Sequence, residues 1–297
     1  MSKIVCFGEV LWDVFSTHKK IGGAPLNVAF RLKSFKNEVA MISAVGNDVL
    51  GKLILDYLQK QEINREHIQV LNDFSTGEVT LTLNEKGAAS YEIMHPKAWD
   101  KIQFTKVASD IVKNADAFVF GSLITRDEVS KHALYQFLEF ANYKVFDVNL
   151  RPPFYEKTIL IEFMRKADFI KFNDEELYEI CALMGSKFNN LEQNICFISE
   201  KTNTQHICVT KGEHGAVLLY NSKLYYNSGY KIKVVDTVGS GDSFLGSLIS
   251  KLLNRTPPQK AIDFACAVGA LVAQREGANP VISDKEISDF INYEEYQ

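Results

Sequence analysis

The residues best suited to chemistry are gathered in one short run, Asp236-Thr237-Val238-Gly239-Ser240-Gly241-Asp242. The β-branched stretch Lys231–Val235 reads as a strand ending just before it. The apolar residues Phe244, Leu245, Leu248, Ile249 and Leu252 after it recur at helical spacing. A Gly-Ser-Gly turn between strand and helix lets the backbone approach a ligand closely. The N–H groups of Gly239, Ser240 and Gly241 are then expected to point out of the helix N-terminus. There the helix dipole favours a phosphate or a developing negative charge. The same dipole is expected to keep Asp242 ionised at neutral pH, so that it can take a proton from an attacking hydroxyl. Position, a base and stabilisation of spread-out charge are the parts that phosphoryl transfer asks of a protein. A plain capped turn uses the same residue types.

A second cluster lies near the start of the chain. Gly22-Gly23 runs into a helix with Pro25 near its first position and Val28, Leu32 and Phe35 on its apolar face. Asn27, in the first turn, can offer an amide to a hydroxylated ligand, or be an exposed helix residue. Asp13, after the first strand, can accept hydrogen bonds from hydroxyls, or be a solvated loop residue. One segment mimics a nucleotide loop without being one. Gly46–Lys52 reads GNDVLGK, but Leu53 follows where a P-loop needs Ser or Thr for magnesium. Leu50 and Leu53 also fall on the apolar face expected for the helix Asp48–Gln61. The motifs HExxH, GxSxG and HRD do not occur, and no GxGxxG follows the first strand.

The elements around these clusters alternate. Strands are expected at Lys3–Gly8, Val39–Val45, Val79–Asn84, Ala117–Gly121, Lys144–Val148, Phe169–Phe172, His206–Thr210, Ala216–Tyr220 and Lys231–Val235. Several are continuous apolar runs, as strands buried on both faces should be. Helices are signalled by Asp48 as an N-cap, by Pro257-Pro258, and by the capping box Ser283/Glu286. Alternation implies an α/β fold with a mostly parallel sheet and helices on both faces. From about Thr76 to Ile102 strand-like runs with a turn at Asn84–Gly87 have no helix between them, which predicts a small antiparallel flap.

Composition sets the outer limits. The 297 residues are 46% apolar and 24% charged, enough for a large core. A net charge of −4 gives no basic excess for nucleic acid or a membrane surface. Cys6, Cys181, Cys196, Cys208 and Cys266 are scattered, with no CxxC pair, and read as reduced thiols of a cytoplasmic protein. No run of 18 apolar residues occurs, and the N-terminus has no long apolar region of the signal-peptide kind.

Taken together, Gly22–Gly23 with Asn27, the Gly46–Gly51 segment and the DTVGSGD at Asp236–Asp242 resemble the ribokinase-like, or PfkB, family of carbohydrate kinases over nearly the whole chain. The resemblance implies a three-layer αβα fold over residues 1–297 as one domain. It also implies a small antiparallel β lid formed mainly by residues 76–102 and part of 11–22. The family usually carries Ala where this chain has Ser240. Asp242 becomes the base, with the Gly239, Ser240 and Gly241 amides as the anion hole. Asp13, Gly22, Gly23 and Asn27 become sugar ligands. Asn173 and Glu176 match an Asn-x-x-Glu motif that organises Mg2+ and phosphate through water. Thr210, Gly212 and Gly215 match the loop near the ATP phosphates. Asp236 and the carbonyl of Val238, with the loop 275–283, match a monovalent-cation (K+) site. The lid implies a homodimer contact. The segments 8–15, Gly22–Asn27 and Asp147–Pro153 most resemble bacterial fructokinases. Arg151, in a DxNxR element shared with 2-keto-3-deoxygluconate kinases, meets substrate there or stays a surface residue. The expected partners are ATP and a small sugar, fructose first, with sugar acids, ribose or nucleosides as alternatives.

Overall fold

The computed structural model describes residues 1–15, 18–83 and 89–294. Among them the strands are β1 (Lys3–Phe7), β2 (Leu11–Val14), β3 (Lys19–Gly22), β4 (Glu38–Gly46), β5 (Ile68–Leu71), β6 (Gly77–Leu83), β7 (Ala89–Ile93), β8 (Ala117–Gly121), β9 (Lys144–Asp147), β10 (Phe169–Asn173), β11 (His206–Thr210), β12 (Ala216–Tyr220) and β13 (Lys223–Asn227). The helices are α1 (Ala24–Ser34), α2 (Val49–Lys60), α3 (Lys106–Lys113), α4 (Glu128–Leu138), α5 (Lys157–Lys166), α6 (Asp174–Leu183), α7 (Leu191–Thr202), α8 (Ser240–Leu253), α9 (Pro258–Ala273) and α10 (Asp284–Glu294).

Nine strands form one sheet in the order β13-β12-β11-β10-β9-β8-β1-β4-β5. The pairs from β11 to β5 are parallel, and β12 and β13 close one edge antiparallel. Side chains alternate across the pleat. Val5, Phe7, Phe118, Phe120, Phe146, Ile170 and Phe172 pack against α3–α7 on one face. Ile4, Cys6, Met41, Val119, Val145, Phe169 and Cys208 pack against α1, α2, α8 and α9 on the other. These are the three layers expected. Helix α10 packs on α9, and its Ser283/Glu286 capping box forms as the sequence predicts.

Two expectations fail. The strand at Lys231–Val235 does not form. Val234 and Val235 are 55% and 59% exposed, and the amides of Val235 and Asp236 both donate to the Ala273 carbonyl at the end of α9. Its place on the sheet edge is taken by β13, so local β propensity yields to tertiary context. In α2, Ile54 and Leu58 are buried, but Leu53 is 46% exposed and lies off the apolar face. The P-loop is absent even so. Asp48 uses its carboxylate to cap Gly51 N–H and to bind Thr76, leaving no open cradle.

The expected flap is a four-stranded sheet in the order β3-β2-β6-β7. It is antiparallel except for the β2–β6 pair. The turn expected at Asn84–Gly87 lies outside the described residues. Both legs of β6 and β7 meet one buried cluster. A Cβ added at Gly77 would lie 2.6 Å from the Trp99 ring, at the start of β6. At the end of β7, Arg126 donates to the Ile93 and Met94 carbonyls. The same guanidinium pairs bidentately with Asp100 at 2.7 and 2.8 Å and stacks 4.0 Å over the Trp99 ring.

Candidate active site

In open parallel sheets, ligands gather beyond the carboxyl ends of the strands, where the strand order reverses. Here β1 lies between β8 and β4, and its carboxyl end leads to Gly8 and Glu9. The carboxyl ends of β9, β10 and β11 bring Asp147, Asn173 and Thr210 to the same side of the sheet. Two helix N-termini, of α1 and α8, close over them.

Gly239 is the N-cap of α8 at φ 73°, and a Cβ there would sit 2.5 Å from the Cβ of Ala278. Only glycine meets both demands. The sequence reading expects all three amides to stay free, and one of them does not. Ser240 N–H donates to the Thr237 carbonyl at 3.2 Å, while the amides of Gly239 and Gly241 carry no such bond within the described residues. The Ser240 hydroxyl donates to the Gly269 carbonyl at 2.9 Å, tying α8 to α9.

Asp242 stands in the first turn of α8. Its Oδ2 accepts a hydrogen bond from Asn27 Nδ2 at 2.8 Å. Asn27 Oδ1 in turn accepts from Asn279 Nδ2 at 2.8 Å. Asn27 is 5% exposed, not the exposed helix residue that its position in α1 allowed. The expected effect of the dipole on Asp242 is outweighed. Burial and then the Asp147 carboxylate push its pKa up to about 6, against Asn27, Lys171 and Arg151, which hold it down. An acid near 6 is still mostly ionised at neutral pH and matches a general base more closely.

Asp13, on β2, faces the same space. Its Oδ2 lies where a Cβ on Gly22 would come within 2.3 Å, so Gly22 makes room for that carboxylate. Burial, then Asp242, pushes Asp13 up to about 6. Gly23 is the N-cap of α1. Arg151 is exposed, donates to the Leu150 carbonyl at 2.9 Å, and lowers the pKa values of Glu9, Asp13 and Asp242.

Beyond Gly241 lies a cavity of about 310 Å³. Asn173, Thr210, Gly212, Gly215, Ser240 and Gly241 line it, with an apolar wall that includes Phe244, Cys266, Ala270 and Ala273. The site thus joins a polar cleft to a largely apolar cavity, with Asp242 and Gly241 at the seam. A larger open concavity, about 1080 Å³, runs along the amino ends of β1 and β4, away from these residues.

Glu176 and Asn173 form the capping box of α6. Glu176 Oε1 accepts from Leu150 N–H and Oε2 from Asn173 N–H, at 2.9 and 2.8 Å. Both oxygens are engaged, which fits a metal held through water better than direct ligation. Asp236 accepts from Val238 N–H at 3.0 Å and Gly277 N–H at 2.9 Å, joining the 236–239 turn to the loop after α9.

Glu9, Asn279, Asp147 and Lys171 are residues of this site that went unassigned from sequence. Glu9 is 4% exposed, and burial pushes its carboxyl up to about 7. Asn279 completes the chain to Asp242. Lys171 is 6% exposed and pairs with Asp147 at 3.1 Å. Lys171 left a trace in the sequence, as a charge inside the apolar run Phe169-Ile170-Lys171-Phe172.

The family model described as pfkB family carbohydrate kinase matches residues 1–285. The chain is 27% identical to fructokinase-2 of Solanum lycopersicum over 310 residues, 94% of this chain and 92% of that protein. It is 28% identical to the probable chloroplastic fructokinase-6 of Arabidopsis thaliana, over 95% and 80% of the two. Its fold superposes on the ATP-bound fructokinase of Xylella fastidiosa with a TM-score of 0.86 at 21% identity, covering 99% of each chain. It superposes on the fructokinase of Vibrio cholerae O395, bound to fructose, ADP and calcium, with a TM-score of 0.82 at 22% identity, covering 98% and 99%. The fold is therefore the ribokinase-like αβα sandwich, and this chain belongs to the pfkB family of carbohydrate kinases.

Proposed function

We propose that this chain is an ATP-dependent fructokinase that transfers the terminal phosphoryl group of ATP to the 6-hydroxyl of fructose. The observation that carries the reading is the position of Asp242, between a cleft lined by carboxylates and amides and the cavity beyond Gly241. As the sugar oxygen attacks the γ-phosphorus, its proton passes to Asp242 and ADP leaves. The free amides of Gly239 and Gly241, at the α8 N-terminus, face the charge that builds on the transferring group. Asp13, Asn27 and the turn at Gly22 and Gly23 hold the sugar. The apolar wall of the 310 Å³ cavity takes the nucleotide base, while Thr210, Gly212 and Gly215 lie along its phosphates.

Magnesium supplies charge neutralisation on the ATP phosphates when bound, and Asn173 and Glu176 would hold it through water. A potassium ion would bind Asp236 and the Val238 carbonyl, since each Asp236 oxygen keeps a lone pair beside the amide that it accepts. The β3-β2-β6-β7 sheet is the lid of this site and the face across which two copies pair. Its closure would exclude water from the reacting groups.

The electrostatics favour a neutral substrate. Glu9, Asp13 and Asp242 face the cleft with Arg151 as the opposing cation at its rim, so an anionic sugar acid meets net repulsion. The test is ATP consumption against fructose, ribose, a nucleoside and 2-keto-3-deoxygluconate, with and without potassium. Fructose should give the highest kcat/KM. Preference for the sugar acid would replace the substrate assignment and make Arg151 a ligand.

A further inference from the structure

Lys171 and Asp147 are register partners on the adjacent strands β10 and β9. Both side chains point to the layer of α1, α8 and α9. Strand β10 runs through the interior of the sheet, where Phe169, Ile170 and Phe172 are fully buried. A Lys–Asp pair in such a place is costly to desolvate, and it stabilises a fold only when its remaining polar atoms are satisfied. Here they are not. Neither Asp147 oxygen accepts a well-aligned hydrogen bond, and the 3.1 Å ion pair with Lys171 is its close charged contact. The ammonium lies 3.5 Å from where a Cβ on Gly241 would stand, directly under the first turn of α8. A cation there also opposes the positive end of the helix dipole. Neither cost is explained by packing.

We propose that Asp147 and Lys171 are positioning residues for Asp242, a buried anion–cation pair that fixes the charge and place of that carboxylate beneath the nucleotide. The proposal rests on the reading of Asp242 as the base. The groups facing Asp242 are Glu9 after β1, Asp13 on β2, neutral Asn27 on α1, Asp147 on β9, Arg151 after β9 and Lys171 on β10. Glu176 on α6 acts on the Lys171 side of the pair. Among these, Asp147 makes ionisation of Asp242 harder and Lys171 makes it easier. Arg151 is exposed and screened, so Lys171 is the cation set in low dielectric.

The two residues therefore predict shifts of opposite sign. The experiment measures kcat/KM for fructose with Mg-ATP across pH in the full chain, for Lys171→Met, Lys171→Arg and Asp147→Asn. A charge within ~4–6 Å moves a carboxyl pKa by about 1–3 units. The acid limb should move up by about one unit or more in Lys171→Met. It should move down by a similar amount in Asp147→Asn and return toward the parent in Lys171→Arg. A merely structural pair lowers activity in all variants without moving the limbs apart, and that result overturns the proposal. If Lys171→Met does not fold, Asp147→Asn carries the test, and an unmoved limb there is equally fatal. The base assignment is checked separately. An inactive, folded Asp242→Asn beside unmoved limbs refutes only the role of the pair, whereas an active Asp242→Asn refutes the base itself.

Discussion

Replacing Asp242 by Asn keeps the shape of the side chain and removes its charge, so it separates what this carboxylate does for the fold from what it does for turnover. In the folded chain its pKa rises from 3.8 to about 6. An acid whose folded pKa is raised binds its proton more tightly when folded. Its ionised form therefore costs stability at pH above the folded value, and that cost vanishes as pH falls through about 6 toward 3.8. Two units correspond to roughly 2–3 kcal/mol at pH 8. Asn carries no such cost and still offers an oxygen to Asn27 Nδ2. The variant should gain about 3–5 °C in melting temperature at pH 8, the scale for a chain of this length, and about 1 °C or less at pH 4. Turnover should fall by about 10²–10⁴, the range for a lost general base, equal to about 2.7–5.5 kcal/mol of transition-state stabilisation. Thermal melts at the two pH values and an ADP-release assay measure both. A variant that melts lower than the parent at pH 8 would refute the burial argument. One that keeps near-parent turnover would refute the catalytic one.

Other outcomes follow from single contacts. Arg126→Met strands the fully buried Asp100 without its partner and should cost about 3–5 kcal/mol, read as a fall of about 5–8 °C in melting temperature. Gly239→Ala sets a Cβ against Ala278 at positive φ and should displace the anion hole, lowering kcat about 10–100-fold with less change in the sugar KM. Ala270→Phe fills part of the 310 Å³ cavity and should raise the KM for ATP about tenfold or more, with the sugar KM little changed. Equal rises in both KM values would show that the cavity does not serve the nucleotide alone.

Much of this was legible in the sequence because the relevant signals are local. Buried parallel strands show as apolar runs, and Asp48 and Ser283 announce helices through their caps. Gly239 marks a positive-φ turn that other residues avoid. The errors have non-local causes. Lys231–Val235 has the composition of a strand, but strandhood needs a neighbour, and β12 pairs with β13 instead. Leu53 fits a helical period, yet whether its face is covered depends on what packs there. The sign of the shift at Asp242 could not be read at all. It depends on burial and on Asp147, a residue 95 positions away (242 minus 147), brought close only by the sheet. Asn279 was silent for the same reason, since its partner Asn27 lies at the other end of the chain.

The way the small sheet is rooted has a mechanical consequence. Both of its legs are pinned at one spot, with Gly77 against Trp99 and the Ile93 and Met94 carbonyls on Arg126. In a lid motion of the kind proposed above, that spot would serve as the fulcrum. Strand β6 spans seven residues from Gly77 to Leu83, a lever of about 20 Å, so a ~10° swing carries its far end roughly 3.5 Å. Asp13 pairs with Val79, two residues from the fulcrum, or about 7 Å, and moves only about 1 Å in the same swing. The carboxylate would then keep near its station while the outer edge of the sheet opens.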